Sequence, residues 1–230
     1  MSETNNGLKS IKAIIFDLDG VIIDSEPLHV NTEKRLFSEY GITVESEDWI
    51  RFKGLTPRAV FEFVRSKYNL EEDLDIFLEK KHRYLAEAYE GTLSLFPDFL
   101  PFVRRFRNGF VFALTTSTRR PLTDWVLSKF RLKDIFQVVV TADDVVHGKP
   151  HPEPYTKTIQ HLKLRSSECV VIEDSINGVI SAKAAGAKCI AVTTSFEKHE
   201  LPEADVFADR LEDITEEMLQ SLKGTGSTGK

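Results

Sequence analysis

The strongest constraint in this chain is a short apolar run that ends in acid. Residues 11–20 read IKAIIFDLDG. Ile14-Ile15-Phe16 is β-branched and aromatic, which predicts a buried strand. The run leads straight into Asp17 and Asp19. Burying a carboxylate is costly unless a partner compensates it. Two residues apart on an extended chain, the two acids project to the same side, where they repel unless a cation lies between them or one holds a proton. Gly20 lets the backbone turn sharply just after them. The plain alternative is that the two acids merely end a strand and open a turn.

The rest of the chain supplies a frame for that strand. From Leu28 the pattern turns helical: His29, Thr32, Leu36 and Tyr40 recur at three- and four-residue spacing, and Gly41 is a natural stop. Further helices are predicted over about 57–68, with Thr56 as cap and Pro57 in the first turn, and over about 71–89. Residues 28–92 therefore read as an all-helical insertion. Beyond Pro97 helices and strands alternate, with strands at 110–114, 138–140, 169–172 and 189–192. That alternation predicts an α/β fold, a doubly wound, Rossmann-like parallel sheet covered on both faces, interrupted by an inserted helical cap. The expected division is a flexible tail at 1–9, a core from 10–27 plus 93–222, a cap at 28–92, and a disordered Gly/Ser/Thr-rich tail at 223–230.

Polar residues recur just past nearly every predicted strand. Asp17 and Asp19 follow the first, Thr115 to Thr118 the second, Asp143-Asp144 and then Gly148-Lys149-Pro150 the third, and Glu173-Asp174-Ser175 the fourth. On one edge of a parallel sheet these bring together carboxylates, hydroxyls and an ammonium, the inventory for holding Mg²⁺ and a phosphoryl group. Each has a bland reading by itself: Thr116 and Asp174 as helix caps, Lys149 as a solvated lysine.

The strings around these residues resemble the four motifs of the haloacid dehalogenase superfamily, in order: FDLDGVIIDSEP, ALTTST, GKPHPEPY and VIEDSINGVISAKAAG. The resemblance implies phosphoryl transfer through an aspartyl-phosphate, with Asp17 as nucleophile and Asp19 as general acid/base. It also implies Mg²⁺ held by Asp17, the Asp19 carbonyl and Asp174, with Glu173 in support. Thr116 takes the second-motif position, with Thr115 and Ser117 as one-residue alternatives, and Lys149 takes the third. Substrate contacts are expected from Thr116, Ser117, Lys149 and Arg119. His29 is expected at the border of the cap, and Arg58 within it; Lys80 and Lys81 are weaker candidates there. The implied partner is a small phosphorylated metabolite, and a sugar phosphate in particular. A sugar phosphomutase like β-phosphoglucomutase is the alternative, although Arg119-Arg120 and the spacing of Arg58 from Lys53-Gly54 depart from that pattern. A receiver module also uses acids and a lysine at strand ends, but such domains need only about half this length.

Composition excludes other classes. A net charge of −6 without a Lys/Arg run gives no footprint for nucleic acid. No apolar stretch approaches the roughly 20 residues of a membrane span, and the polar start lacks a signal-peptide core. A cytoplasmic monomer is the expectation. Cys169 and Cys189 lie in separate apolar runs, without a CxxC, and read as free buried thiols.

Overall fold

The computed structural model describes residues 11–52, 55–201 and 204–222. The proposed tails and the Lys53-Gly54 pair lie outside the described residues. The chain divides into two compact units, Met1–Ile23 with Leu95–Lys230, and Asp24–Ser94.

The first unit is built on a six-stranded, all-parallel sheet: β1 (Ala13–Phe16), β2 (Val111–Thr115), β3 (Val138–Val140), β4 (Cys169–Glu173), β5 (Lys188–Val192) and β6 (Val206–Ala208). The order β3-β2-β1-β4-β5-β6 makes the sheet reverse direction of travel at β1. In open α/β sheets ligands bind beyond the strand C-termini at this reversal. The two acids at the end of β1 stand there. Its helices are α5 (Phe99–Phe106), α6 (Arg120–Lys129), α7 (Glu153–Leu162), α8 (Ile176–Ala184) and α9 (Glu216–Ser221).

Register and pleat fix which side chains meet. Phe16 lies level with Leu114 and Ile172, so Asp17 comes level with Thr115 and Glu173. Ala13, Ile15, Ala113 and Val171 pack in one cluster with Tyr155 of α7 and Val179 of α8. By the two-residue period, Asp17, Thr115 and Glu173 project to that same face. On the opposite face Phe16 meets Phe99, Phe102, Phe112 and Phe136 edge-on, with ring centroids 5.5–6.2 Å apart. Such pairs add about 0.5–1.5 kcal/mol each beyond area burial.

The second unit is helical throughout its described residues: α1 (Glu26–Glu39), α2 (Ser46–Phe52), α3 (Pro57–Tyr68) and α4 (Leu74–Thr92). Its core is aromatic, with Phe37 and Phe61 against Phe77 at 5.9 and 5.1 Å. Thr56 caps α3 as expected, accepting from the Ala59 N–H at 3.2 Å. Helix α4 starts at Leu74 rather than near Glu71, because Asp73 accepts from the Asp75 N–H at 2.8 Å and sets the cap there. Helix α1 starts two residues early, at Glu26, with Pro27 in a first turn where its missing N–H is no loss. Helices α2 and α9 and the three-residue β6 are additions to the elements read from the sequence. All three are too short to carry a clear period.

Candidate active site

The turn after β1 is tight. Ile22 and Ile23 both donate their N–H to the Leu18 carbonyl, at 2.9 and 3.0 Å. Gly20 sits at φ +76°, and a Cβ there would lie 1.8 Å from Asp174 Oδ2. Only glycine satisfies both the left-handed backbone and this close approach. Asp17 is thereby held at the strand end, 6% exposed, with Asp174 brought over the turn.

Lys149 is the hub. Its Nζ donates to Asp17 Oδ1 at 2.5 Å, to Glu173 Oε1 at 2.7 Å and to the Thr115 carbonyl at 3.3 Å. An ammonium has three protons, and all three are used. Glu173 is fully engaged. Its Oε1 also takes the Tyr155 hydroxyl at 2.9 Å, and its Oε2 takes the Asp174 N–H, the Ser175 N–H and the Ser175 hydroxyl at 2.9–3.0 Å. Ser175 in turn caps α8 by accepting from the Gly178 N–H at 3.0 Å. With its lone pairs taken, Glu173 acts as the anchor for Lys149. Gly178 is the space for it: a Cβ there would lie 1.7 Å from Glu173 Oε1.

Electrostatics follow from burial. Desolvation pushes the Asp17 carboxyl up to about 7, with Lys149 opposing the rise and the Glu173 and Asp19 charges adding to it. Burial likewise drives Asp174 well above the usual carboxylate range, helped by Glu173 and Asp17. Burial works the same way on Glu173, but the adjacent Lys149 ammonium outweighs it and holds that carboxyl low. Burial disfavours the Lys149 charge, and Asp17 and Glu173 more than restore it. One ammonium thus serves three buried carboxylates whose oxygens lie within 4.8 Å of one another. The excess of negative charge and the all-oxygen donor set fit a hard divalent cation such as Mg²⁺.

The remaining candidates fall in distinct places. Asp19 is half-buried, and its Oδ2 accepts from the Thr118 hydroxyl at 2.6 Å. Thr116 is buried. Its N–H bonds the Val140 carbonyl at 3.0 Å and its hydroxyl accepts from the Thr118 N–H at 3.0 Å, which fixes the loop after β2. Ser117, next in that loop, is exposed. Arg119 is exposed and paired with Asp143 at 3.3 Å. In the helical unit, His29 stands edge-on to Tyr89, its Nε2 3.4 Å from the hydroxyl. Arg58 is exposed in the first turn of α3. Lys80 is tied to Tyr40 and Glu72, and Lys81 to Glu33, so both serve that unit's own ion pairs.

Thr118 was read only as one of the polar residues past β2, and Thr194 and Ser195 escaped the sequence reading. Thr118 holds Asp19, Ser195 donates its hydroxyl to Asp174 Oδ2, and Thr194 donates to the Gly20 carbonyl at 2.6 Å. Thr194 and Ser195 follow β5, so the rule that flags polar residues past each strand finds them once it is applied to that strand too.

A family model described as haloacid dehalogenase-like hydrolase matches residues 14–192. The chain belongs to this family. The match runs from β1 to the end of β5 and so contains every member of the Lys149 network. Among similar proteins, a phosphorylated carbohydrates phosphatase of Thermotoga maritima is 31% identical over 183 residues, covering 78% of this chain and 84% of that one. The solved structure of a family IA hydrolase from Entamoeba histolytica superposes with a TM-score of 0.82 at 24% identity, over 92% of this chain and 99% of that one. CbbY from Rhodobacter sphaeroides, solved in complex with phosphate, gives a TM-score of 0.76 at 25% identity, covering 87% and 95%. Among the described residues no helix is long and apolar enough to cross a membrane.

Proposed function

We propose that this hydrolase cleaves the phosphate ester of a small phosphorylated metabolite, a sugar phosphate in particular, through a phosphoryl group carried on Asp17. The observation that carries the reading is the buried Lys149 bonded at once to Asp17 and Glu173. A carboxylate attacks an anionic phosphate only where positive charge offsets their repulsion, and Lys149 supplies it at the nucleophile itself. The phosphatase named above supports a phosphoric monoester hydrolase and favours water over a second sugar as the acceptor. Its carbohydrate substrates support the same class here.

The chain's residues divide the work as follows. An Asp17 oxygen forms a bond to phosphorus while the bond from phosphorus to the ester oxygen breaks. Asp19, steadied by Thr118, gives its proton to that leaving oxygen. It then takes a proton from the water that attacks phosphorus, and the bond to Asp17 breaks to release phosphate. Lys149 stays charged beside Asp17, and Glu173 keeps it in place. The Thr116 loop and Lys149 are the proposed phosphoryl contacts. Asp17, Asp174 and the Asp19 carbonyl are the proposed Mg²⁺ ligands. Bound there, the ion would neutralise phosphoryl oxygens.

The test is phosphate release from a panel of sugar, polyol and short organic acid phosphates, with and without Mg²⁺. At least one substrate should turn over repeatedly, and Asp17→Asn should lower kcat by at least about a thousandfold while the variant stays folded. An Asp17→Asn enzyme with near-full activity would sink the assignment.

A further inference from the structure

A second group of metal-binding side chains lies on the loop that carries Lys149. His147, His151 and Glu153 each offer one donor atom, and the three atoms lie within 4.8 Å of one another. The two imidazole rings stand 4.7 Å apart, tilted by 35°. The loop is already folded around the carboxylate. Glu153 Oε1 accepts from the Val146 N–H at 2.8 Å, and Oε2 accepts from the His147 N–H at 3.0 Å and lies 3.0 Å from His147 Nδ1. The Glu153 N–H donates to His151 Nδ1 at 3.2 Å, and the His151 carbonyl accepts from the Ser181 hydroxyl of α8 at 2.6 Å. Both rings are reachable from solvent, with side chains 63% and 51% exposed. None of the three belongs to the buried carboxylate network.

We propose that His147, His151 and Glu153 form a second metal site, for a zinc-class transition ion, which clasps the loop holding Lys149. Donor chemistry separates it from the strand-edge site. Two imidazoles beside one carboxylate suit zinc, nickel or copper, whereas an all-oxygen set of carboxylates and a carbonyl suits a hard ion. Three protein ligands with open positions left for water is a regular zinc arrangement. An ion about 2.1 Å from each donor requires donors no more than about 4.2 Å apart, so exposed rings need only small rotations to close on it. Because Lys149 lies between the two histidines in sequence, occupancy would restrain the segment that aims its ammonium.

The experiment titrates Zn²⁺ into the full chain held in saturating Mg²⁺, read by calorimetry and by the imidazole ¹⁵N resonances of the six histidines. One equivalent should bind, two imidazoles should shift, and His147→Ala/His151→Ala should lose more than about tenfold in affinity. Asp17→Asn should bind Zn²⁺ as the unaltered chain does. The proposal falls if no imidazole shifts, or if the double variant binds Zn²⁺ unchanged. It also falls if Asp17→Asn removes the binding, which would place the ion at the strand edge. Should the double variant fail to fold, Glu153→Gln and the resonance shifts of the unaltered chain decide by the same criteria.

Discussion

Two sets of ion pairs in this molecule have nearly the same length and opposite meaning. In the sheet unit, Lys149 lies 2.5 Å from Asp17 and 2.7 Å from Glu173, with the three side chains 6%, 9% and 0% exposed. In the helical unit, Arg35 of α1 lies 2.6 Å from Glu87 of α4, with side chains 52% and 50% exposed. Water screens the second pair and solvates either partner when the other leaves. Nothing does so for the first, where loss of one partner strands a buried charge. Length therefore says little about energy; burial decides. The strand edge holds charges at high free energy, in the place where the proposed reaction uses them. The helical unit packs on aromatic side chains and carries the Arg35–Glu87 pair on its surface, while Asp48 and Lys81 are buried there beside their partners Lys67 and Glu33.

The largest effect should come from breaking the buried pair. Lys149→Met keeps the bulk of the side chain but leaves Asp17 and Glu173 facing each other without an ammonium. Removing one partner of a buried pair typically costs about 3–5 kcal/mol. Urea unfolding should show that loss, and phosphatase activity should fall by at least about a hundredfold. A variant as stable as the parent would break the comparison, since it would mean that the buried charges are as well solvated as the exposed ones.

A somewhat smaller effect is expected at Gly178, which touches none of the chemistry. Its missing side chain is the room that Glu173 occupies, at 1.7 Å from where a Cβ would stand. Gly178→Ala must shift either α8 or Glu173, at about 1–3 kcal/mol of strain. If Glu173 moves, Lys149 loses its anchor, so kcat should drop along with the thermal midpoint. A drop in stability alone would mean that the helix yields and the anchor holds.

These residues also mark how far the sequence could be read. The sheet was legible because its strands are apolar runs punctuated by glycine, proline and acids. Register then forces whatever follows β1, β2 and β4 onto one level. Asp17, Glu173 and Asp174 were visible because charge at the end of an apolar strand demands a partner, and Lys149 through the resemblance of GKPHPEPY to the third superfamily motif. The partners themselves were harder to see. Tyr155 reaches Glu173 across 18 residues and Ser195 reaches Asp174 across 21. A hydroxyl shows no sign in sequence of which acid it will meet. In the helical unit the period gave α1, α3 and α4, but nothing in the pattern separates a substrate contact from a residue that serves the unit's own packing, as His29 and Arg58 show.

Thr118 tests the intermediate case, a half-buried hydroxyl on the proposed general acid. In the sequence it is one more hydroxyl in ALTTST. In the structure it donates to Asp19 Oδ2 at 2.6 Å. Thr118→Val preserves the shape and removes that bond, so Asp19 keeps its place in the chain but loses a fixed orientation. Steady-state kinetics should show kcat lower by about tenfold with KM nearly unchanged, and Thr118→Ser should restore it. A rise in KM alone would make Thr118 a substrate contact instead.

The smallest effect should come from the exposed pair, and it sharpens the comparison by how little it does. Glu87→Gln removes the charge that faces Arg35 but leaves an amide able to accept a hydrogen bond. The guanidinium also lies 3.8 Å from the centre of the Tyr84 ring, so it keeps a second partner. The melting temperature should move by no more than the scatter between repeats. Whatever difference exists should vanish in about 1 M salt, where screening reaches only about 3 Å. A salt-independent loss would show that this pair is shielded from water, and that the two units are held by the same kind of interaction after all.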